Sequence, residues 1–223
     1  VSFMLRLDGG AAMTRLTAAF EERGLRWAYR TVDTLAFLPQ RRQRVFLVAS
    51  RVFDPAEVLF ADEAEPADTV TDLTARAHGF YWTEGIRGLG WGPDCVPTLK
   101  NGSTVGIPSP PAILRPDGAI VTPDIRDAER LQGFPADWTR AAGDIGLERL
   151  RWSLTGNAVS VPVAAWVGER LARPGRHDRA RDRDLATQER WPTAARFDGR
   201  RRFAVTISTH PMVAPRPALD LFL

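Results

Sequence analysis

Apolar positions recur at helical spacing in two stretches of the chain, and elsewhere they form short runs of strand length. Met13, Leu16 and Phe20 fall on one face of Ala11–Arg23, and Gly24 follows as a C-terminal stop, which predicts an amphipathic helix. Leu25–Val32 alternates large and small side chains and ends at Asp33, as a strand does. Val45–Ala49 is continuously apolar, which suits a strand buried on both faces of a parallel or mixed sheet. Helix, strand, turn and buried strand in this order predict the last units of an α/β sheet.

From Asp54 to about Pro123 helical periodicity disappears. Gly85–Gly92 and Asn101–Pro111 are rich in Gly, Pro, Ser and Thr, and such long loops carry function more often than packing. The stretch reads as a small, loop-rich lobe inserted after the sheet. Regularity returns at Thr122-Pro123, where a capping hydroxyl and a first-turn proline open a helix through Arg130 to Leu131, and Gly133-Phe134-Pro135 ends it. Val159, Val163, Trp166, Val167 and Leu171 mark a second amphipathic helix, with Pro162 tolerated near its start. Phe203–Ile207 predicts one edge strand. No internal repeat is visible.

Composition narrows the class. The 223 residues are 44% hydrophobic and 26% charged, the balance of a soluble globular chain. No run approaches the roughly eighteen apolar residues of a membrane span, and the first twenty residues lack the pattern of a secretory signal. The single cysteine, Cys95, excludes an internal disulfide framework and any CxxC zinc site, and fits a cytoplasmic location. Net charge is only +3, yet of thirty basic residues Lys100 alone is a lysine. Arginine is the planar, permanently charged fork suited to phosphates and guanine edges, although a GC-rich genome gives the same bias. Arg173–Arg202 holds ten arginines against five acidic residues and reads as a solvated tail or a phosphate-contacting arm.

Three segments carry candidate chemistry. In Pro39-Gln40-Arg41-Arg42-Gln43-Arg44, just before the apolar run, Gln40, Arg42 and Arg44 alternate and are expected on one side. There they would hold a phosphate or a base edge, or simply keep a sheet edge soluble. Arg126–Pro135 reads by itself as a capped helix with a glycine stop. Gly156-Asn157-Ala158-Val159 reads as a Gly-Asn turn opening a helix, whose backbone N–H groups either serve a polar ligand or simply begin the helix.

In this order, and with a Gly-rich lobe between the first two, the segments resemble the C5-cytosine DNA methyltransferases. That family carries Pro-Gln-x-Arg-x-Arg, a variable target-recognition region, Arg-…-Gln-Gly-Phe-Pro and Gly-Asn-x-Val, matched here by Pro39–Arg44, about 54–122, Arg126–Pro135 and Gly156–Val159. The resemblance covers about residues 1–172. It implies an α/β fold: the C-terminal part of a Rossmann-like methyltransferase sheet plus a small, loop-rich target-recognition lobe. Residues 1–53 would end the catalytic domain, 54–122 would recognise the target, 123–172 would return to the catalytic domain, and 173–223 would form an Arg/Pro-rich tail.

The resemblance also implies the reaction. Family members flip a cytosine out of double-stranded DNA; a cysteine thiolate attacks C6, a glutamate assists at N3, and the methyl group of S-adenosylmethionine passes to C5. By the motif match, Arg44 would contact the flipped base, Arg42 would support the pocket or phosphates, and Gln40 would join them at the DNA. Thr98-Leu99 is similar to a Thr-Leu pair of many recognition regions, Arg126 would tether the two lobes, and Asn157, Ala158 and Val159 would line the cofactor pocket. The family's glycine-rich cofactor loop, Pro-Cys nucleophile and Glu-Asn-Val segment are not found in this sequence. Cys95 follows Asp94 and matches no nucleophile motif, and Phe37-Leu38 stands before Pro39 where many members keep a glycine. Ser2–Leu5 is similar to the stretch that comes just after Glu-Asn in the family. The expectation is therefore a C-terminal fragment, inactive alone: a remnant, a non-catalytic DNA-binding module, or a subunit completed by a complementary N-terminal methyltransferase chain. Neither a membrane nor a metal is expected.

Overall fold

A computed structural model describes residues 2–66, 72, 74–81, 88–100, 110–186, 190–212 and 217–223. Of the glycine- and proline-rich runs, residues 85–87 and 101–109 lie outside the described residues. The chain divides into two compact units, one made of Val1–Asp33, Gln43–Pro66 and Ala165–Val213, the other of Thr34–Arg42, Ala67–Ala164 and Ala214–Leu223. Neither is one continuous stretch.

The first unit is built on a five-stranded sheet. Its strands are β1 (Arg26–Asp33), β2 (Gln43–Ser50), β7 (Asp182–Asp184), β8 (Ala194–Phe197) and β9 (Arg202–Val205), in the order β2-β1-β8-β9-β7. Every pairing is antiparallel, with Arg26 opposite Ser50 and Asp33 opposite Gln43 at the two ends of the longest ladder. The first helix, α1 (Ala11–Glu21), lays Met13 against Leu5, Trp27, Tyr29 and Ala195, with Leu16 and Phe20 at the margin. That is the face its spacing predicts, and Gly24 follows at φ +67°. The fold class is α/β, as expected, but the pairing is not parallel or mixed. Val45–Ala49 belongs to the edge strand β2 and is half-buried, because an antiparallel edge strand covers only one of its faces.

The arginine-rich stretch differs most from expectation. It supplies β7, β8 and the start of β9 instead of a solvated tail or an arm. Phe203–Val205, expected at an edge, lies in β9 between two neighbours. Burying this charge requires local partners. Arg196, 2% exposed, donates from Nε and Nη2 to Asp182 at 3.0 and 2.7 Å, and His177 Nε2 lies 2.8 Å from the other oxygen of that carboxylate. Arg202 grips both oxygens of Glu21 at 2.8 Å. Arg30 is buried on five hydrogen bonds to the carbonyls of Leu59, Asp62, Ser208 and His210, and burial pulls its pKa down to about 10.

Burial alone would raise the Asp182 pKa, but the hydrogen bonds from Arg196 and His177 outweigh it and hold the group below its ordinary value. A carboxylate whose pKa is depressed on folding stabilises the fold above its unfolded pKa, and loses that contribution as pH falls through the folded value. In urea titrations, the stability gap between the wild type and Asp182→Asn is therefore expected to be constant near neutrality and to narrow below about pH 4. A gap unchanged down to about pH 2 contradicts this assignment.

The second unit carries a four-stranded antiparallel sheet of very short strands, β3 (His78–Phe80), β4 (Gly92–Pro93), β5 (Ala112–Leu114) and β6 (Ile120–Val121), in the order β4-β3-β5-β6. Ala77, Val96, Leu99, Ile113, Ala128, Leu131 and Leu219 form its core. One helix, α3 (Ile125–Leu131), is capped two residues later than expected: Asp124 is the N-cap, in a reciprocal capping box with Asp127, and Thr122-Pro123 precede it. The stop is as expected. Gly133 has φ +88°, and a Cβ there would come within 2.7 Å of Pro162 Cδ, so this turn requires glycine.

Two helices have no counterpart in the sequence reading, α4 (Arg140–Asp144) and α5 (Glu148–Asn157). The buried residues of α5 are Arg151, Thr155 and Gly156, while Leu150 and Leu154 are exposed. A helix that buries its polar side shows no apolar stripe to find. Gly156-Asn157 therefore ends α5 instead of opening a helix. The following helix, α6 (Val161–Ala172), begins at Val161 with Pro162 in its first turn and buries Val163 and Trp166, while Val159 lies before it and Leu171 is exposed. Within the first unit, Trp166 and Arg170 both donate to Asp62. Among the described residues no helix is long and apolar enough to cross a membrane, and no group of three His, Cys, Asp or Glu is placed to hold a metal ion.

Candidate functional site

Inside the second unit, stretches far apart in sequence close on one another. Gln40 and Val96 form a parallel bridge, with Val96 N–H donating to Pro39 O and Arg41 N–H to Val96 O, each at 2.9 Å. This places the Gln40 amide, 0% exposed, among backbone groups. An amide both donates and accepts, and here it does both. Its Oε1 accepts from Leu99 N–H at 3.2 Å, and its Nε2 donates to Leu131 O at 2.9 Å and Gln132 Oε1 at 3.4 Å.

Arg42, 3% exposed, extends the network. Its Nη1 donates to Leu99 O at 3.2 Å, and its Nη2 donates to Gly156 O at 3.0 Å and Ala158 O at 2.7 Å. The last two carbonyls lie at the end of α5, where backbone oxygens lack helical partners and the helix dipole favours a cation. Gln132 completes the junction. Its Nε2 donates to Thr155 O at 2.9 Å, Ser160 Oγ donates to its Oε1 at 2.8 Å, and its carbonyl accepts from Val161 N–H at 2.9 Å. Thr34 Oγ1 and Ser160 Oγ are 2.9 Å apart.

The geometry therefore joins Gln40, Arg42, Leu99, Gln132 and Ala158 into one buried hub. The expected convergence of Gln40, Arg42 and Arg44 on one exposed side is not found. The first two point into protein, whereas Arg44 is the second residue of β2, opposite Val32, and is half-buried, its Nη1 donating to Gln43 O at 2.8 Å. Burial lowers the Arg44 pKa and Asp33 works against that shift. Gln132, Ser160 and Thr34 are the members that sequence reading missed. Gln132 lies inside Arg126–Pro135 and Ser160 directly follows Gly156–Val159, and a polar Gln and Ser at those places are the only signal, since their burial shows only in the fold.

Of the remaining candidates, Thr98 is half-buried and its Oγ1 donates to Arg41 O at 2.8 Å, while the Leu99 side chain belongs to the core. Arg126 is exposed and its guanidinium is held by its own cap residue Asp124, at 3.1 and 2.7 Å. Asn157 is exposed, with one long hydrogen bond to Ser153 Oγ at 3.5 Å, and Val159 is 55% exposed in the link between α5 and α6. Ala158 lines a cavity of about 310 Å³ with Phe134, Trp138, Leu154 and Thr155. Cys95 is buried.

Beneath α3 sits a charged cluster that sequence reading also missed. Glu129 is fully buried and its Oε1 accepts from Thr139 N–H at 2.8 Å, from the Thr139 hydroxyl, and from Arg151 Nη2 at 3.4 Å. Arg151 also reaches Asp137 at 3.1 Å and Glu148 at 3.0 Å.

No family model matches the chain. The chain is 47% identical, over 233 aligned positions, to the Type II methyltransferase M2.BsuMI of Bacillus subtilis (strain 168). The match takes in 100% of this chain and 59% of that protein, so the chain spans about three-fifths of the length of the curated relative it matches. Along its whole length, then, the chain is similar to a Type II methyltransferase, in keeping with the resemblance of its motifs to the DNA methyltransferases.

Proposed function

We propose that the chain is the C-terminal part of a DNA (cytosine-5) methyltransferase, with residues 54–122 as target-recognition region and 123–172 as the return to the catalytic domain. The observation that carries this reading is the hub: the three ordered motif segments and Leu99 meet in a single buried hydrogen-bond network through Gln40, Arg42 and Gln132. Its role is positional. Gln40 and Arg42 hold the recognition segment and the end of α5 in register. By the motif match, Arg44, half-buried near the start of β2, would meet the flipped base. Thr98, half-buried beside the hub, would contact the DNA. The Asp124 pairing of Arg126 favours holding the start of α3 over tethering two lobes.

S-adenosylmethionine, when bound, supplies the electrophilic methyl group. The exposed Asn157 amide and Val159 side chain fit contacts to it, one polar and one apolar, and Ala158 backs them. Arg42 fixes the height of this link by holding the Ala158 carbonyl. The nucleophile is not Cys95: it is 2% exposed and matches no Pro-Cys segment. The catalytic thiolate and the glutamate at N3 would come from a complementary N-terminal methyltransferase segment or chain.

The purified 223-residue chain is accordingly expected to bind duplex DNA in low salt, and to transfer no methyl group to it from labelled S-adenosylmethionine. Methyl transfer by the chain alone overturns the assignment of the nucleophile elsewhere. Failure to bind duplex DNA at low salt overturns the DNA role.

A further inference from the structure

We propose that a depression walled by Arg41 and Lys100 seats one phosphate of the DNA backbone; this rests on the DNA reading above. The cavity measures about 260 Å³ and is lined by Arg41, Tyr81, Gly88, Gly90, Pro97, Thr98 and Lys100. Two cations face it, and among the described residues no acidic side chain lines it. An open site with two cations on its walls favours an anion, and a phosphodiester provides one on every nucleotide.

The walls are fixed by the hub. Residues on either side of Arg41 turn inward, Gln40 and Arg42 into the buried network, so alternation sends Arg41 the other way. The parallel bridge between Gln40 and Val96 sets residues 39–42 against 96–99, and Lys100 follows directly. Thr98 Oγ1 donates to Arg41 O at 2.8 Å, the Tyr81 hydroxyl donates to Thr98 O, and Arg41 Nη2 donates to Gly90 O. The Lys100 ammonium lies 4.3 Å from the centre of the Tyr81 ring. The cations are thus held at the rim before any ligand arrives, which lowers the ordering cost of binding. The charged, sequence-blind character of the walls assigns the site to positioning DNA and not to reading bases.

The test compares the wild-type chain with R41Q, K100Q and the double variant on fluorescently labelled duplexes of two unrelated sequences, across a salt series. Loss of one phosphate contact is expected to make the slope of log K against log salt shallower by about 0.9, and to weaken binding to both duplexes by the same factor. Lys100→Arg, which keeps the charge, is expected to retain the wild-type slope. Unaltered thermal unfolding of the variants keeps the comparison valid, because Arg41 and Lys100 are only half-buried. An unchanged slope in the double variant, with the wild type binding normally, overturns the phosphate seat alone. If the wild type binds no duplex, inorganic phosphate is the second probe. Stabilisation of the wild type by phosphate but not of the double variant retains the anion seat and rejects its assignment to DNA, and no stabilisation of either rejects both.

Discussion

Replacing Arg42 with methionine is expected to lower the unfolding free energy of the chain by about 3–5 kcal/mol. The methionine fills most of the volume but offers no donor, so the buried carbonyls of Leu99, Gly156 and Ala158 lose the N–H groups they accept. Each buried acceptor left unmatched costs about 1–3 kcal/mol. Two of the three stand at the end of α5, where the cation is also favoured by the negative end of the helix dipole. Arg42→Lys keeps the charge but not the rigid fork that spans three acceptors, so it should recover only part of the loss. Urea unfolding followed by tryptophan fluorescence reads this directly. A loss below about 1 kcal/mol would mean that water replaces the guanidinium, and that Arg42 is not the fastener of the hub.

Glu129→Ala is expected to cost about as much, near 3–5 kcal/mol, for a different reason. It strands the buried Arg151 guanidinium and the Thr139 N–H, which shared the lost carboxylate. Asp137 and Glu148 still face Arg151 and place the loss at the lower end of that range. The decisive comparison is the double variant Glu129→Leu with Arg151→Met. Removing both charges and filling the space is expected to be far milder than the single change, since a buried pair is costly mainly when it is broken. A double variant as unstable as the sum of the single variants contradicts the pairing.

The pattern of apolar residues located the features that depend on apolar burial. The α1 face with Met13, Leu16 and Phe20, the strand before Asp33, and Trp166 of α6 were all legible for that reason. Burial achieved by charge left no such mark. Arg196 in β8, Arg151 in α5 and Arg42 in the hub sit inside the protein on carboxylates or carbonyls that the fold brings to them. An arginine-rich stretch looks solvated until those partners are known. The antiparallel pairing of β2 was missed because an apolar run of five residues has the same appearance at an edge as at a centre. Of the candidate site, the motif segments marked the right places, but not which way their side chains turn. Gln40 and Arg42 were expected to face a ligand and instead join the segments to each other, because the parallel bridge to Val96, invisible in the local sequence, turns them inward.

The most direct test of the cytosine-5 assignment is the chemical identity of the modified base. The chain is combined with an N-terminal methyltransferase chain that carries Pro-Cys and Glu-Asn segments, incubated with unmodified duplex DNA and S-adenosylmethionine, and the DNA is digested for nucleoside mass spectrometry. The expected product is 5-methylcytosine, formed by the pair and by neither chain alone. N4-methylcytosine or N6-methyladenine in its place would contradict the assignment.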